Sequence, residues 1–245
     1  MCDLPVSRAK FSHTDTNTMS ASSCSLCHFW SSSIGKKIVV AITGLILVAF
    51  LAGHLSGNLL MYKGAADFNE YAEFLHHMLH GAGVWIARIV LLTSLVLHVV
   101  ATIQLTKANR ASREKRYECD ATVKASKASR TMIWSGLTIL AFVIFHILHY
   151  TVRVDSGLAT LADAGNQYQM VIEGFKNILV SAFYIVAISL LCNHLSHGFS
   201  SIFQTLGLRT KKNACLIDAL GKAYTLFIWV GFVSIPVSVL AGWIR

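Results

Sequence analysis

Residues 38–62 read IVVAITGLILVAFLAGHLSGNLLMY, with no Asp, Glu, Lys or Arg among them. An uninterrupted apolar stretch of more than about 18 residues is a membrane helix rather than the core of a soluble domain. At a rise of about 1.5 Å per residue it reaches across a hydrocarbon core of about 30 Å. The stretch also carries a histidine, His54, in its second half. Fold and chemistry therefore enter the sequence together.

Four further charge-poor runs follow. They are Ile89–Thr106 (starting earlier, near Val84), Thr131–Val152, Asn177–Leu208 and Ala223–Ile244. The fourth of the five runs is longer than a span needs, so its end is expected along the interface. Only 13% of the 245 residues are charged and 54% are hydrophobic, against about 25% charged in soluble proteins. The expectation is an all-α integral membrane bundle of five helices over residues 34–245. Residues 1–33 are Ser/Thr-rich, lack the apolar core of a signal peptide, and are expected to form a loose, uncleaved tail. No internal repeat is evident, and no soluble domain is large enough to hold its own core. Met19 is a second possible start.

The net charge of +9 is a matter of topology rather than nucleic acid. Sixteen basic residues lie before the first run, in the second-to-third connection or in the fourth-to-fifth connection, among them Lys36, Lys37, Lys107, Arg209, Lys211, Lys212 and Lys222. The opposite side has five: Lys63, Arg88, Arg153, Lys176 and Arg245. The excess of Lys and Arg on cytoplasmic loops places the N-terminus in the cytoplasm and the C-terminus outside. The expected location is the bacterial cytoplasmic (inner) membrane. Cys2, Cys24, Cys27, Cys119, Cys192 and Cys215 show no disulfide framework.

Of eleven histidines, six fall in the apolar runs: His54 in the first, His98 in the second, His146 and His149 in the third, His194 and His197 in the fourth. Polar groups at membrane depth are costly and mark function. A single one is well explained as a hydrogen-bonding link between helices. Four consecutive helices each carrying one point to a shared ligand role. His54 lies nine residues before Lys63 and His146 seven before Arg153, which places both in the outer half. His98 lies nine residues before Lys107, in the inner half, and His194 and His197 lie central to inner. Facing imidazoles at one depth supply both axial bonds of a haem iron, so two haems stacked across the bilayer are expected. A structural zinc site wants four clustered ligands. Here the histidines split into two levels, with only Cys192 nearby as a thiolate. Gly44, Gly53, Gly57, Gly136 and Gly198 leave room for a flat macrocycle, or equally for close helix packing.

The segment Gly53-His54-Leu55-Ser56-Gly57-Asn58, followed by Phe68-Asn69-Glu70-Tyr71, resembles the first helix and loop of a known family. That family is the five-helix, two-haem cytochrome b subunits of succinate dehydrogenases and fumarate reductases. The ten-residue step from Gly136 to His146 resembles it too. So does His194-Leu195-Ser196-His197-Gly198-Phe199, continuing to Phe203-Gln204-Thr205-Leu206-Gly207. The likeness covers roughly residues 33–245. It implies an outer haem b on His54 and His146 and an inner haem b on His98 and His194. Alignment back from Leu206-Gly207 selects His194 over His197. His197 and His149 then have the option of a haem propionate or an interfacial hydrogen bond.

The resemblance further implies a flavoprotein subunit with FAD and an iron–sulfur subunit on the cytoplasmic face. It implies exchange with a membrane quinone such as menaquinone, and no dicarboxylate site on this chain. Quinone protonation needs a donor, and the external loop offers Glu70, Glu73 and His76, with Asp67, His77 and His80. Some fumarate reductases of this type carry a glutamate two residues before the fourth-helix ligand, where this chain has Cys192.

Cys24-Ser25-Leu26-Cys27-His28 matches the c-type haem attachment motif. It lies on the side expected to be cytoplasmic, where that attachment does not occur, and is read as chance. Other readings carried forward are a cytochrome b of another quinone-linked dehydrogenase and a haem-free transporter or proton channel with a histidine relay. No buried carboxylate in the five runs favours the relay.

Overall fold

The computed structural model describes residues 29–111 and 127–245. Among these residues 86% are helical and none is in a strand. Five helices are long and apolar enough to cross a membrane: Ser33–Tyr62, Ala82–Asn109, Met132–Val152, Ile178–Thr205 and Ala214–Leu240. The chain is a multi-pass helical membrane protein. The N-terminal motif at residues 24–28, Met19 and most of the basic connection between the second and third spans lie outside the described residues.

Eight α-helices are named here in chain order. They are α1 (Ser33–Asn58), α2 (Ala65–His77), α3 (Ala82–Ala111), α4 (Lys127–His146), α5 (Ser156–Asp163), α6 (Gln167–Lys176), α7 (Ile178–Thr205) and α8 (Ala214–Leu240). The spans α1, α3, α4, α7 and α8 match the five apolar runs with shifted ends. The second starts at Ala82, because the positive φ of Leu79, His80 and Gly81 makes a tight turn after α2. The fifth starts at Ala214, so Lys222, assigned from sequence to the preceding connection, lies two turns inside α8. Ser32 opens α1 by accepting the N–H of Gly35 at 2.9 Å. The last turn of the third span widens into a π-helix over Ile147–Val152 and stops at the left-handed Arg153 (φ 59°).

α1 packs against α3, α7 and α8, and α7 packs against α4 and α8. The two central helices are therefore α1 and α7, with α3 and α4 flanking them and α8 behind. The lipid-facing character is plain in the flanks: Trp85, Ile89, Leu92 and Trp134 are all more than half exposed. In a soluble protein so many exposed apolar side chains would be an aggregation hazard; in a bilayer they are solvated by lipid.

The connections reveal two faces. On one, α2 meets α6, which packs in turn on α5. Asn69 accepts the backbone N–H of Tyr168 at 2.9 Å, and Phe68 packs edge-on to Tyr168 with ring centres 6.3 Å apart. On the other, the start of α1 (Ile34, Lys37) lies beside the end of α7 (Ser201, Gln204). There Asp218 ties Arg209 (2.8 Å) and Ser200 (2.7 Å) across the turn between α7 and α8. The first is called here the loop-helix face and the second the N-terminal face. None of the three short loop helices was expected from the sequence.

Candidate functional site

Two histidine pairs stand at two levels of the bundle. The upper pair, toward the loop-helix face, is His54 of α1 and His146 of α4. Their ring centres are 5.8 Å apart and their planes cross at 80°. The lower two are His98 of α3, against Gly44 of α1, and His194 of α7, against Gly136 of α4. The levels are fixed by neighbours. His98 lies against Thr43 and Gly44, and His54 is ten residues further along the same helix than Gly44. His194 lies against Ser135 and Gly136, and His146 is ten residues beyond Gly136. Ten helical residues rise about 15 Å, which is the vertical separation of the pairs.

The lower pair is held in matching fashion from both sides. Thr43 Oγ1 is 3.1 Å from Nδ1 of His98, and Ser135 Oγ is 3.2 Å from Nδ1 of His194. Each hydroxyl also donates to its own helix, Thr43 to the carbonyl of Val39 at 2.6 Å and Ser135 to that of Met132 at 3.1 Å. A hydroxyl has one proton. With it spent on the backbone, the oxygen accepts from the ring. Neutral His98 and His194 thus carry their proton on Nδ1 and keep the Nε2 lone pair free, which is the tautomer a metal ligand requires. Gly44 and Gly136 let the rings approach: a Cβ on Gly44 would be 3.3 Å from His98 Cε1, and one on Gly136 would be 3.7 Å from His194 Cε1.

Hydroxyl, glycine and a histidine ten residues on thus occur twice, on α1 and α4, each beside a histidine from the next long helix. In the same register the two segments also share Leu45 with Leu137, Ala49 with Ala141 and Phe50 with Phe142, a likeness that sequence reading for internal repeats missed. It is the three-dimensional placement that pairs the two halves.

The upper pair is held differently. His146 Nδ1 is 3.2 Å from the Tyr184 hydroxyl of α7, which is also 3.1 Å from Nδ1 of His149. His54 stacks on Phe50 (ring centres 5.2 Å apart, planes at 16°) and lies 5.7 Å from Phe232. Asn58 Nδ2 donates one N–H to the carbonyl of His54 at 2.7 Å and stands 3.5 Å from both of its ring nitrogens, with its second N–H left for the ring. Aromatic packing and one long Asn58 contact set the His54 ring.

The upper pair has the spacing that two histidines holding one haem iron would need. With metal–nitrogen bonds of about 2 Å, two axial imidazoles on one iron place their ring centres about 6 Å apart. The upper pair measures 5.8 Å, and axial rings are free in their mutual angle. Among the described residues no three or more His, Cys, Asp or Glu side chains gather into a metal site. Of the remaining small residues, Gly53 and Gly198 meet open space, whereas Gly57 receives the Tyr71 ring, with its Cβ position 2.6 Å from Tyr71 Cε1.

His197 is half-buried one turn beyond His194. Cys192 is a free, buried thiol. Glu70, Glu73 and His76 are exposed on α2, as are Asp67 and His77, and His80 is exposed in the turn that follows. Glu73 pairs loosely with His77 at 3.9 Å, and His76 donates from Nδ1 to the carbonyl of Ala72 at 2.8 Å. None of these is brought onto the histidine pairs. On α6 the Lys176 ammonium, 2.6 Å away, holds the Glu173 carboxyl below the usual range. Sequence reading missed Thr43, Ser135 and Tyr184. The one signal for the first two is a hydroxyl residue directly before a glycine at the same distance from a histidine on two helices.

Comparison with protein family models, curated proteins and solved structures finds no match.

Proposed function

We propose that this chain is the two-haem cytochrome b membrane anchor of a succinate:quinone oxidoreductase, of the succinate dehydrogenase or fumarate reductase kind. The observation that carries the reading is the placement of four histidines from four helices at two levels about 15 Å apart, with the 5.8 Å spacing of His54 and His146. His54 and His146 would hold one haem b and His98 and His194 the other. A bound haem supplies reversible one-electron transfer. The residues of the chain do the rest. Thr43 and Ser135 orient their histidines, the two levels span the apolar core, and the aromatic packing around His54 keeps water from the upper pair.

In this reading the N-terminal face is cytoplasmic, the C-terminus is external and the membrane is the bacterial cytoplasmic one. Lys36, Lys37, Lys211 and Lys212 supply positive charge at the N-terminal face. Lys107, Arg209 and Lys222 add to that face, against Lys63, Arg88, Arg153, Lys176 and Arg245 toward the other, and this excess of Lys and Arg supports the orientation. The iron–sulfur subunit and the FAD-bearing flavoprotein would dock on the basic face. Quinone, menaquinone or a similar one, would react near the upper pair, with Glu70, Glu73 and His76 as candidate proton donors. Isolation of the chain from its native membrane in mild detergent tests the proposal. It should bring down two soluble subunits, covalent or tightly held FAD, and succinate-to-quinone electron transfer. Recovery of a haem-free chain without these partners would favour the histidine-relay transporter instead.

A further inference from the structure

Tyr184 is only 3% exposed, and its ring is locked between two perpendicular neighbours, Phe142 (5.1 Å, 86°) and Phe175 (5.0 Å, 88°). A buried phenol needs one hydrogen-bond partner. This one has two, and both are the Nδ1 atoms of histidines one turn apart at the end of α4, His146 at 3.2 Å and His149 at 3.1 Å. The phenol has a single proton, so it donates to one imidazole and accepts from the other. If His146 is a ligand through Nε2, its proton is on Nδ1 and the direction of the whole chain follows. His146 Nδ1–H donates to the Tyr184 oxygen, and the Tyr184 O–H donates to Nδ1 of His149.

We propose that Tyr184 is the positioning residue of the upper haem site: it fixes the His146 tautomer, and through its second bond to His149 it strengthens His146 as an electron donor. This rests on the two-haem reading above. An acceptor on the distal N–H makes a ligating imidazole more basic. When the acceptor's own proton is drawn toward another base, the effect grows. A more basic axial ligand favours the oxidised iron and lowers the reduction potential. The site is uneven, since His54 across from it is set by Phe50 and Phe232 and meets only the longer 3.5 Å contact of Asn58.

The test is a spectroscopic redox titration of the purified, haem-loaded protein with Tyr184→Phe and His149→Gln, with haem per chain quantified in each. Phe keeps the ring and its packing and removes the hydroxyl. The expected result is two haems per chain, a raised potential for the haem assigned to His54 and His146, an unchanged potential for the other, and a smaller rise in His149→Gln. Selective loss of the upper haem in Tyr184→Phe would also support the role. Two retained haems with neither potential moved in Tyr184→Phe would overturn it while leaving the two-haem reading intact. Equal loss of both haems would make Tyr184 a packing residue and overturn it too. Absence of haem from the wild-type protein would sink the underlying reading and this proposal together.

Discussion

The Ser135 hydroxyl of α4 lies 3.2 Å from Nδ1 of His194 on α7. The same relation joins Thr43 of α1 to His98 of α3 at 3.1 Å. In both cases the hydroxyl proton is spent on a carbonyl of its own helix, so the ring donates. Thr43→Val and Ser135→Ala would each leave a ring N–H without its acceptor. Loss of such an outer partner costs roughly 10- to 100-fold in metal-site affinity. Each variant should lose haem from the lower site on dilution in detergent and keep the upper one, as read by reduced-minus-oxidised difference spectra. Equal loss at both levels would contradict the assignment of these hydroxyls.

Gly44 and Gly136 play similar parts with unequal tolerance. A methyl on Gly44 would meet His98 Cε1 at 3.3 Å and Ile202 Cδ1 at 3.4 Å, tighter than most packed contacts. At Gly136 the nearest approach is an ordinary 3.7 Å, to His194 Cε1. Gly44→Ala should therefore push the His98 ring and diminish lower-site haem, whereas Gly136→Ala should retain it. Haem per chain in the two variants decides this, and equal retention would show that the His98 ring is free to give way.

Gly231 of α8 faces Leu55, the neighbour of His54. A Cβ there would stand 2.6 Å from Leu55 Cδ2, and Leu55 is fully buried. The atoms met are the tips of the buried Leu55 side chain, so Leu55 must change rotamer or the helices must part. Overpacking of this kind costs typically 1–3 kcal/mol, about the same scale as expected here for Gly231→Ala. Thermal unfolding in detergent should shift downward, and the upper haem should be perturbed before the lower.

Asn69 connects the two loop segments by accepting the N–H of Tyr168. Asn69→Ala leaves that donor without its partner, at a cost of about 1–3 kcal/mol if water does not replace it. Limited proteolysis should cut faster within 153–177 in this variant, while both haems stay bound. Unchanged proteolysis would mean that water fills the gap.

The five spans were legible because charge-free runs of that length have few other readings, and the bundle follows from their need to satisfy every backbone group. Helix ends were less so. Lys222 reads as a loop residue by charge, yet α8 begins at Ala214, since a long cationic side chain near a helix end can reach the interface. The loop helices escaped because they are short and only weakly apolar. Their caps, Asp155 accepting from Leu158 at 3.0 Å and Asn166 from Gln169 at 3.1 Å, are ordinary loop residues until the hydrogen bonds are seen. The two levels of histidines were visible in their distances from flanking charges. Their supports were not. Ser and Thr in helices usually bond back to their own carbonyls, and only the fold shows that Thr43 and Ser135 also reach a ring. Tyr184 reaches His146 from another helix, a relation that spacing along the chain does not encode.

The most direct measurement is a redox-titrated absorption spectrum of the purified protein with haem per chain quantified, repeated for His54→Ala, His146→Ala, His98→Ala and His194→Ala. The account predicts two b-type haems, one lost in either of the first two variants and the other lost in either of the last two. A wild-type protein without haem, or haem loss that pairs the histidines otherwise, would contradict it.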